Sequence, residues 1–146
     1  MSVILSGQDI ASIVTARFPA VVVEYDNQAV VIKSEDLLKV TDFLKNSPDL
    51  SYDYLTDITV VDYFDYFEVV YHLSSLARNK MLVLKVRCYG RENLQLPSVT
   101  SLWRGADFME REIFDLFGIS FISHPNLKRI FLWEGFTGYP LRKDYL

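Results

Sequence analysis

The chain has 146 residues, of which 50% are apolar and 14% aromatic, and it carries a formal net charge of −4. This composition excludes a wholly disordered chain and suits one domain with a hydrophobic core. The acidic net charge argues against a nucleic-acid-binding protein, which normally presents a basic surface.

The sequence also argues against membrane insertion and against resident metal chemistry. Its apolar runs fall short of the roughly 20 residues that a membrane-spanning helix needs. Residues 1–5 lack the basic and long apolar stretches of a signal peptide, so we expect the protein to stay in the compartment where it is made. A single cysteine, Cys88, excludes an internal disulfide and a cysteine-based iron–sulfur or zinc site within this chain. We expect Cys88 to be a buried and inert thiol.

The first third of the chain predicts two helices and a β-hairpin. Ser6 is placed to cap a first helix that ends before Pro19. Residues 21–25 and 29–33 are β-branched runs separated by a turn, which indicates a hairpin. Ser34 is then placed to cap a second helix.

Three further strands are predicted over residues 54–63, 66–73 and 81–89. In the middle one, Glu68 and His72 point away from the apolar side chains, and this alternation predicts one buried face and one wet face. The pattern as a whole favours an α+β fold, with helices packed on one face of a mostly antiparallel sheet.

The last third predicts one more helix followed by an extended arm. Asp107 with Glu110 resembles a capping box, and Gly118 is placed to end that helix. We predict a domain over residues 1–122 and a C-terminal arm over residues 123–146, because Pro and Gly interrupt the arm while its apolar content requires a partner. The arm contains three large aromatic residues that we do not expect inside the domain core: Phe131, Trp133 and Phe136.

The best catalytic candidates are two carboxylates on the last helix. Glu112 and Asp115 are three residues apart, and paired carboxylates can act as acid and base when their pKa values differ. In the alternative interpretation, Arg111 pairs with Asp107 and Asp115, each four residues away, and the charges have a structural role. The structural interpretation is favoured.

Histidine is the second catalytic candidate. His124 precedes Pro125, and a histidine can act as a general base near neutral pH. It stands alone in a proline-containing loop, so a role in a turn or in packing is favoured. His72 is assigned no role.

The C-terminal sequence resembles the signature of the thirty-kilodalton subunit of respiratory NADH:quinone oxidoreductase (complex I), which is lettered C in bacteria. The first matching segment starts with Glu-Arg-Glu at residues 110–112 and includes Gly-Ile, His-Pro and Arg-Ile pairs up to residue 130. The second matching segment is Gly-Tyr-Pro-Leu-Arg-Lys-Asp-Tyr at residues 138–145.

This resemblance implies a non-catalytic structural subunit in the peripheral arm of a proton-pumping NADH:quinone oxidoreductase. It implies no cofactor in this chain, with FMN and iron–sulfur clusters held by partner subunits. The implied partners are the forty-nine-kilodalton subunit (lettered D in bacteria) and the terminal-cluster subunit (lettered B), on the cytoplasmic side of the cell membrane. Many family members continue past the Lys-Asp-aromatic end with an acidic extension, whose contacts we expect to be absent or replaced here.

Together with the arm, the resemblance places a set of residues at the partner interface: Glu110, Arg111, Glu112, Asp115, His124, Pro125, Arg129, Tyr139, Arg142, Lys143 and Asp144. Three alternatives stay open from the sequence. The chain could serve an equivalent ferredoxin-dependent or hydrogenase-type membrane complex, act as a free-standing carboxylate-dependent enzyme, or bind peptides generally.

Overall fold

A computed structural model describes residues 3–129 and 138–144. The described residues contain three α-helices, a short 3₁₀ turn and eight strands. The helices and the turn are α1 (Gly7–Arg17), the 3₁₀ turn (Ser34–Asp36), α2 (Leu37–Asn46) and α3 (Ala106–Phe117). The strands are β1 (Val3–Ile4), β2 (Val22–Tyr25), β3 (Val30–Ile32), β4 (Tyr54–Asp62), β5 (Tyr66–Ser75), β6 (Lys80–Tyr89), β7 (Gln95–Pro97) and β8 (Ser120–Ile122).

Six strands form one mixed sheet in the order β2-β3-β6-β5-β4, with β1 paired to the first residues of β6. The β2–β3, β4–β5 and β5–β6 pairs are antiparallel, whereas β1 and β3 both run parallel to β6. The apolar residues of α1 and α2 join those of the sheet in one buried core cluster. The α+β fold with a mostly antiparallel sheet is therefore confirmed.

The predicted wet face of the sheet is wrong at its centre. Glu68 is only 4% exposed, because its carboxylate lies 3.2 Å from Lys85 Nζ and 3.2 Å from Arg87 Nε on the neighbouring strand β6. The long side chains of these two cations cover the strand and pair with the acid at the same time. Alternation in one strand therefore gave the direction of each side chain but not how its neighbours shield it.

The helix starts follow the sequence in one case and depart from it in another. Ser6 caps α1 as predicted, since its Oγ accepts the backbone N–H of Asp9 at 3.1 Å. Ser34 instead opens the 3₁₀ turn, and α2 begins only at Leu37, with Asp36 as an N-cap that makes no side-chain capping bond. Asp36 pairs with Lys39 at 3.1 Å instead, which explains why its carboxylate is not turned back to the helix start.

Gly7 fixes how closely α1 approaches the β2–β3 turn. A Cβ atom at this position would lie 2.0 Å from the carbonyl oxygen of Asp26 and 2.4 Å from that of Ala29. Both are backbone atoms, so the helix or the turn would have to move to admit a methyl group.

We therefore predict that Gly7→Ala lowers the free energy of unfolding by about 2 kcal/mol, through overpacking. Gly105→Ala is the matched control, because a Cβ at Gly105 meets no atom within 4 Å and its φ is −60°. Urea denaturation of both variants measures the difference. Equal midpoints for the two variants would show that the α1 contact is not restrictive.

Candidate partner interface around the C-terminal strap

The helix α3 carries the first part of the predicted interface, and its most conspicuous residue is buried. Glu110 is 0% exposed, and its two oxygens accept the Ser98 hydroxyl at 2.6 Å and the Val99 backbone N–H at 2.9 Å. Burial raises the pKa of Glu110 to about 7, against the two hydrogen bonds, which favour the charged form. Glu110 thus fixes the loop that precedes α3.

The predicted capping box at the start of α3 is therefore wrong. The N-cap is Gly105, which makes no side-chain capping bond, and α3 begins at Ala106. Glu110 reaches across to a preceding turn, where the backbone N–H groups of Leu102 and Trp103 bond to the carbonyl of Val99. The end of the helix agrees with the sequence, because Gly118 adopts φ +79° and its N–H bonds to Phe114.

The two carboxylates considered as an acid–base pair lie in different surroundings. Glu112 is exposed, whereas Asp115 is 0% exposed and lies 3.5 Å from Arg129 Nε. Arg111 is half-buried on the same helix. Both carboxylates that were expected to pair with it are next to other basic side chains, Asp115 near Arg129 and Asp107 near His124.

His124 connects the end of β8 to the start of α3. Its Nδ1 atom accepts the backbone N–H of Asn126 at 3.0 Å, and Nε2 lies 3.2 Å from the Asp107 carbonyl oxygen. These partners assign the neutral ring a proton on Nε2, which donates to Asp107. The side chain is fully buried, while Pro125 is exposed. This geometry matches the favoured structural role of His124.

The second part of the predicted interface lies in residues 138–144, which we call the C-terminal strap. Arg142 fastens it to the domain, since Nε donates to the Phe117 carbonyl at 2.6 Å and Nη1 to the Arg91 carbonyl at 2.9 Å. The Leu141 N–H adds a bond to the Leu116 carbonyl at 3.1 Å. The strap is thereby held against the C-terminal end of α3.

Tyr139 stacks between two arginines. Its ring centre lies 4.9 Å from the guanidinium carbon of Arg129 and 4.8 Å from that of Arg142. Arg129 also donates to the Gly138 carbonyl at 2.9 Å. Gly118 leaves room for this stack, because a Cβ there would lie 2.7 Å from the Tyr139 ring.

The end of the strap joins an ion-pair network that sequence reasoning missed. Arg91 donates to both oxygens of Asp62, at 2.7 and 2.9 Å, and lies 3.0 Å from Asp144. Asp62 also accepts the Lys143 backbone N–H at 2.9 Å, and the side-chain bonds from Arg91 hold its pKa well below the usual range. The available signal was an acid at an inward position of an apolar strand, opposite the buried Phe67.

The structure thus brings most of the predicted interface residues together around the strap, and it uses several of them inside the chain. Glu112, Pro125, Lys143 and Asp144 are exposed, whereas Glu110 and Asp115 are buried. Phe131, Trp133 and Phe136 lie outside the described residues. The assignment of this surface to a partner stays a prediction, as does the division of the chain at residues 122 and 123.

The chemistry of the described residues is that of packing and charge pairing. Within residues 3–129 and 138–144, no group of three or more His, Cys, Asp or Glu side chains is placed to hold a metal ion. Cys88 is buried as expected, and burial raises the pKa of its thiol to about 11. Across the same part of the chain, the helices are too short or too polar to cross a membrane.

Comparisons with known proteins place this geometry in a family. A family model described as "Respiratory-chain NADH dehydrogenase, 30 Kd subunit" matches residues 30–146. A C-type NADH-quinone oxidoreductase subunit from Rhizobium meliloti is 44% identical over 120 residues, which are 80% of this chain and 65% of that protein. The C-type subunit from Azorhizobium caulinodans is 39% identical over 145 residues, which are 94% of this chain and 68% of that protein.

A solved structure shares the fold. One chain of the membrane-bound sulfane sulfur reductase, described as an archaeal respiratory membrane complex, superimposes with a TM-score of 0.75 at 21% identity. The match covers 95% of this chain and 85% of that chain. This chain spans 65% and 62% of the length of the C-type relatives from Rhizobium meliloti and Rhizobium etli.

Proposed function

The chain belongs to the family of the 30 Kd subunit of respiratory-chain NADH dehydrogenase, and on this premise we propose that it is a structural subunit of a proton-pumping NADH:quinone oxidoreductase. In this proposal it sits in the peripheral arm, on the cytoplasmic side of the membrane. FMN and the iron–sulfur clusters belong to partner subunits. The chain itself supports electron transfer from NADH to quinone without taking part in the chemistry.

The proposed partners are the forty-nine-kilodalton subunit and the terminal-cluster subunit of the same complex. The observation that carries this proposal is the strap, a terminal segment whose cations, aromatic ring and backbone are held in one arrangement on the domain surface. Holding a segment in its bound arrangement lowers the entropy lost on association. A fixed, mixed aromatic and charged surface is the kind that supplies interface hot spots.

The predicted interface residues divide into two roles in this proposal. Exposed Glu112, Pro125, Lys143 and Asp144 contact the partner. Arg129, Tyr139 and Arg142 act one step away, because their side chains position the strap. The remaining residues hold α3 and the turn after β8, against which the strap lies: Glu110, Arg111, Asp115 and His124.

We predict that deleting residues 138–146, or replacing Arg142 by alanine, weakens binding to the co-expressed forty-nine-kilodalton subunit while the domain remains folded. Loss of one half of a desolvated charged contact costs about 2–5 kcal/mol. The measurement is co-purification with the partner, alongside circular dichroism of the free chain. Lys39→Ala is the matched control, since Lys39 is an exposed cation on α2, far along the chain from the strap.

Two outcomes would contradict the proposal. Failure of the wild-type chain to bind any subunit of the complex would exclude the structural role. Full assembly of the Arg142→Ala variant with loss of quinone reduction would mean that these residues act in the chemistry, as a catalytic role requires.

A further inference from the structure

An exposed aromatic ring stands at the tip of the β4–β5 turn, next to the strap. Phe64 is 60% exposed and has a φ of +71°. A bulky side chain in the left-handed region is a rare and strained arrangement, found where surrounding contacts force it. Neither local preference nor burial of the ring accounts for a phenylalanine here.

Three contacts hold Phe64 in this conformation. Its backbone N–H donates to Asp62 Oδ1 at 2.8 Å, and its carbonyl accepts Arg91 Nη1 at 3.3 Å. The Arg91 guanidinium carbon lies 5.5 Å from the ring centre. The same Asp62–Arg91 pair that receives the strap therefore also fixes the turn, so that ring and strap form one continuous surface.

We propose that Phe64 is an aromatic anchor for a protein partner, one that offers an apolar pocket for the ring with a carboxylate at its rim. The carboxylate complements Lys143, whose side chain is exposed and whose backbone N–H binds the second oxygen of Asp62. A strained, pre-fixed aromatic side chain beside charged residues has the properties of an interface hot spot. This inference rests on the proposed function, because it assigns a contact of the same assembly surface.

The charges around the ring favour a protein over a lipid surface. Asp65 and Asp144 are both exposed, one in the turn and one in the strap. Segments that bind anionic membranes are rich in Lys and Arg, and acidic groups are repelled by such membranes. The strap itself is not the occupant, since Phe64 stays exposed with residues 138–144 in place.

The test is Phe64→Asn, measured against the purified forty-nine-kilodalton subunit by isothermal titration. Asparagine tolerates the left-handed conformation, so the variant should unfold at the same temperature as the wild type or higher. Its affinity for the forty-nine-kilodalton subunit should fall at least tenfold, and Phe64→Trp should keep wild-type affinity. Leu76→Asn is the matched control: Leu76 is 67% exposed just after the far end of β5, and its affinity should change less than twofold.

The outcomes separate this inference from the proposed function. If the wild type binds and Phe64→Asn binds equally well, the anchor is wrong while the structural role stands. If the wild type does not bind, the proposed function fails and the anchor fails with it. Binding of the wild type to phosphatidylglycerol vesicles, lost in Phe64→Asn, would overturn the inference in favour of a lipid surface.

Discussion

Replacing Arg91 by alanine is expected to lower the free energy of unfolding by about 3 kcal/mol, because it leaves a buried carboxylate without its cation. Asp62 is 5% exposed and takes both of its charged hydrogen bonds from Arg91, at 2.7 and 2.9 Å. Two backbone N–H groups, of Phe64 and Lys143, remain as its donors and limit the loss. Denaturation in urea measures the change.

The matched control is Asp144→Asn, at the solvent side of the same arginine. Asp144 lies 3.0 Å from Arg91, but its side chain is 41% exposed, so its pair is screened and worth less than about 1 kcal/mol. A loss as large as that of Arg91→Ala would move the weight of the network from Asp62 to Asp144. An unchanged stability of Arg91→Ala would show that the Asp62 pair contributes nothing.

The same network sets a pH dependence with a defined sign. The pKa of Asp62 is lower in the folded chain than its usual value, chiefly through the bonds from Arg91. The unfolded chain therefore binds this proton first, and the stabilisation is present near neutral pH and is lost as the pH falls below the ordinary range of an aspartate. Arg91→Ala should flatten this acid limb of the stability curve.

The local elements were accessible from the sequence, and the long-range contacts were not. The hairpin strands β4 to β6 and the cap at Ser6 follow from residues close together in the chain. The parallel pairing of β1 and β3 with β6 depends on which distant strands meet, and neighbouring residues carry no signal for it. The buried Asp62–Arg91 pair likewise joins residues 29 positions apart.

The candidate interface shows the same limit. Its motif residues were found by resemblance, yet their roles were assigned to the surface of a partner. Arg142 instead donates to two carbonyls of its own chain, and Glu110 fixes the loop before its own helix. A charged residue in a motif shows that a contact matters, but only packing decides whether the contact lies within the chain or between chains.

Glu110 offers the second large effect, and it is one that pH should switch. Burial raises its pKa from 4.5 to about 7, so the folded chain keeps this proton where the unfolded chain has lost it. The free energy of unfolding therefore falls as the pH rises from 4.5 to about 7. With about 1.4 kcal/mol for each unit of pKa difference, the total change is roughly 3 kcal/mol.

Glu110→Gln should remove this change, because a glutamine amide can accept the Val99 N–H and donate to the Ser98 oxygen at any pH. We expect the variant to equal the wild type near pH 4.5 and to exceed its stability above about pH 7. Glu110→Ala should instead lose about 2–4 kcal/mol at every pH, since it leaves Ser98 and Val99 without their acceptor and opens a cavity. Parallel pH profiles for the wild type and Glu110→Gln would mean that the buried carboxylate keeps an ordinary pKa, held there by its two hydrogen bonds.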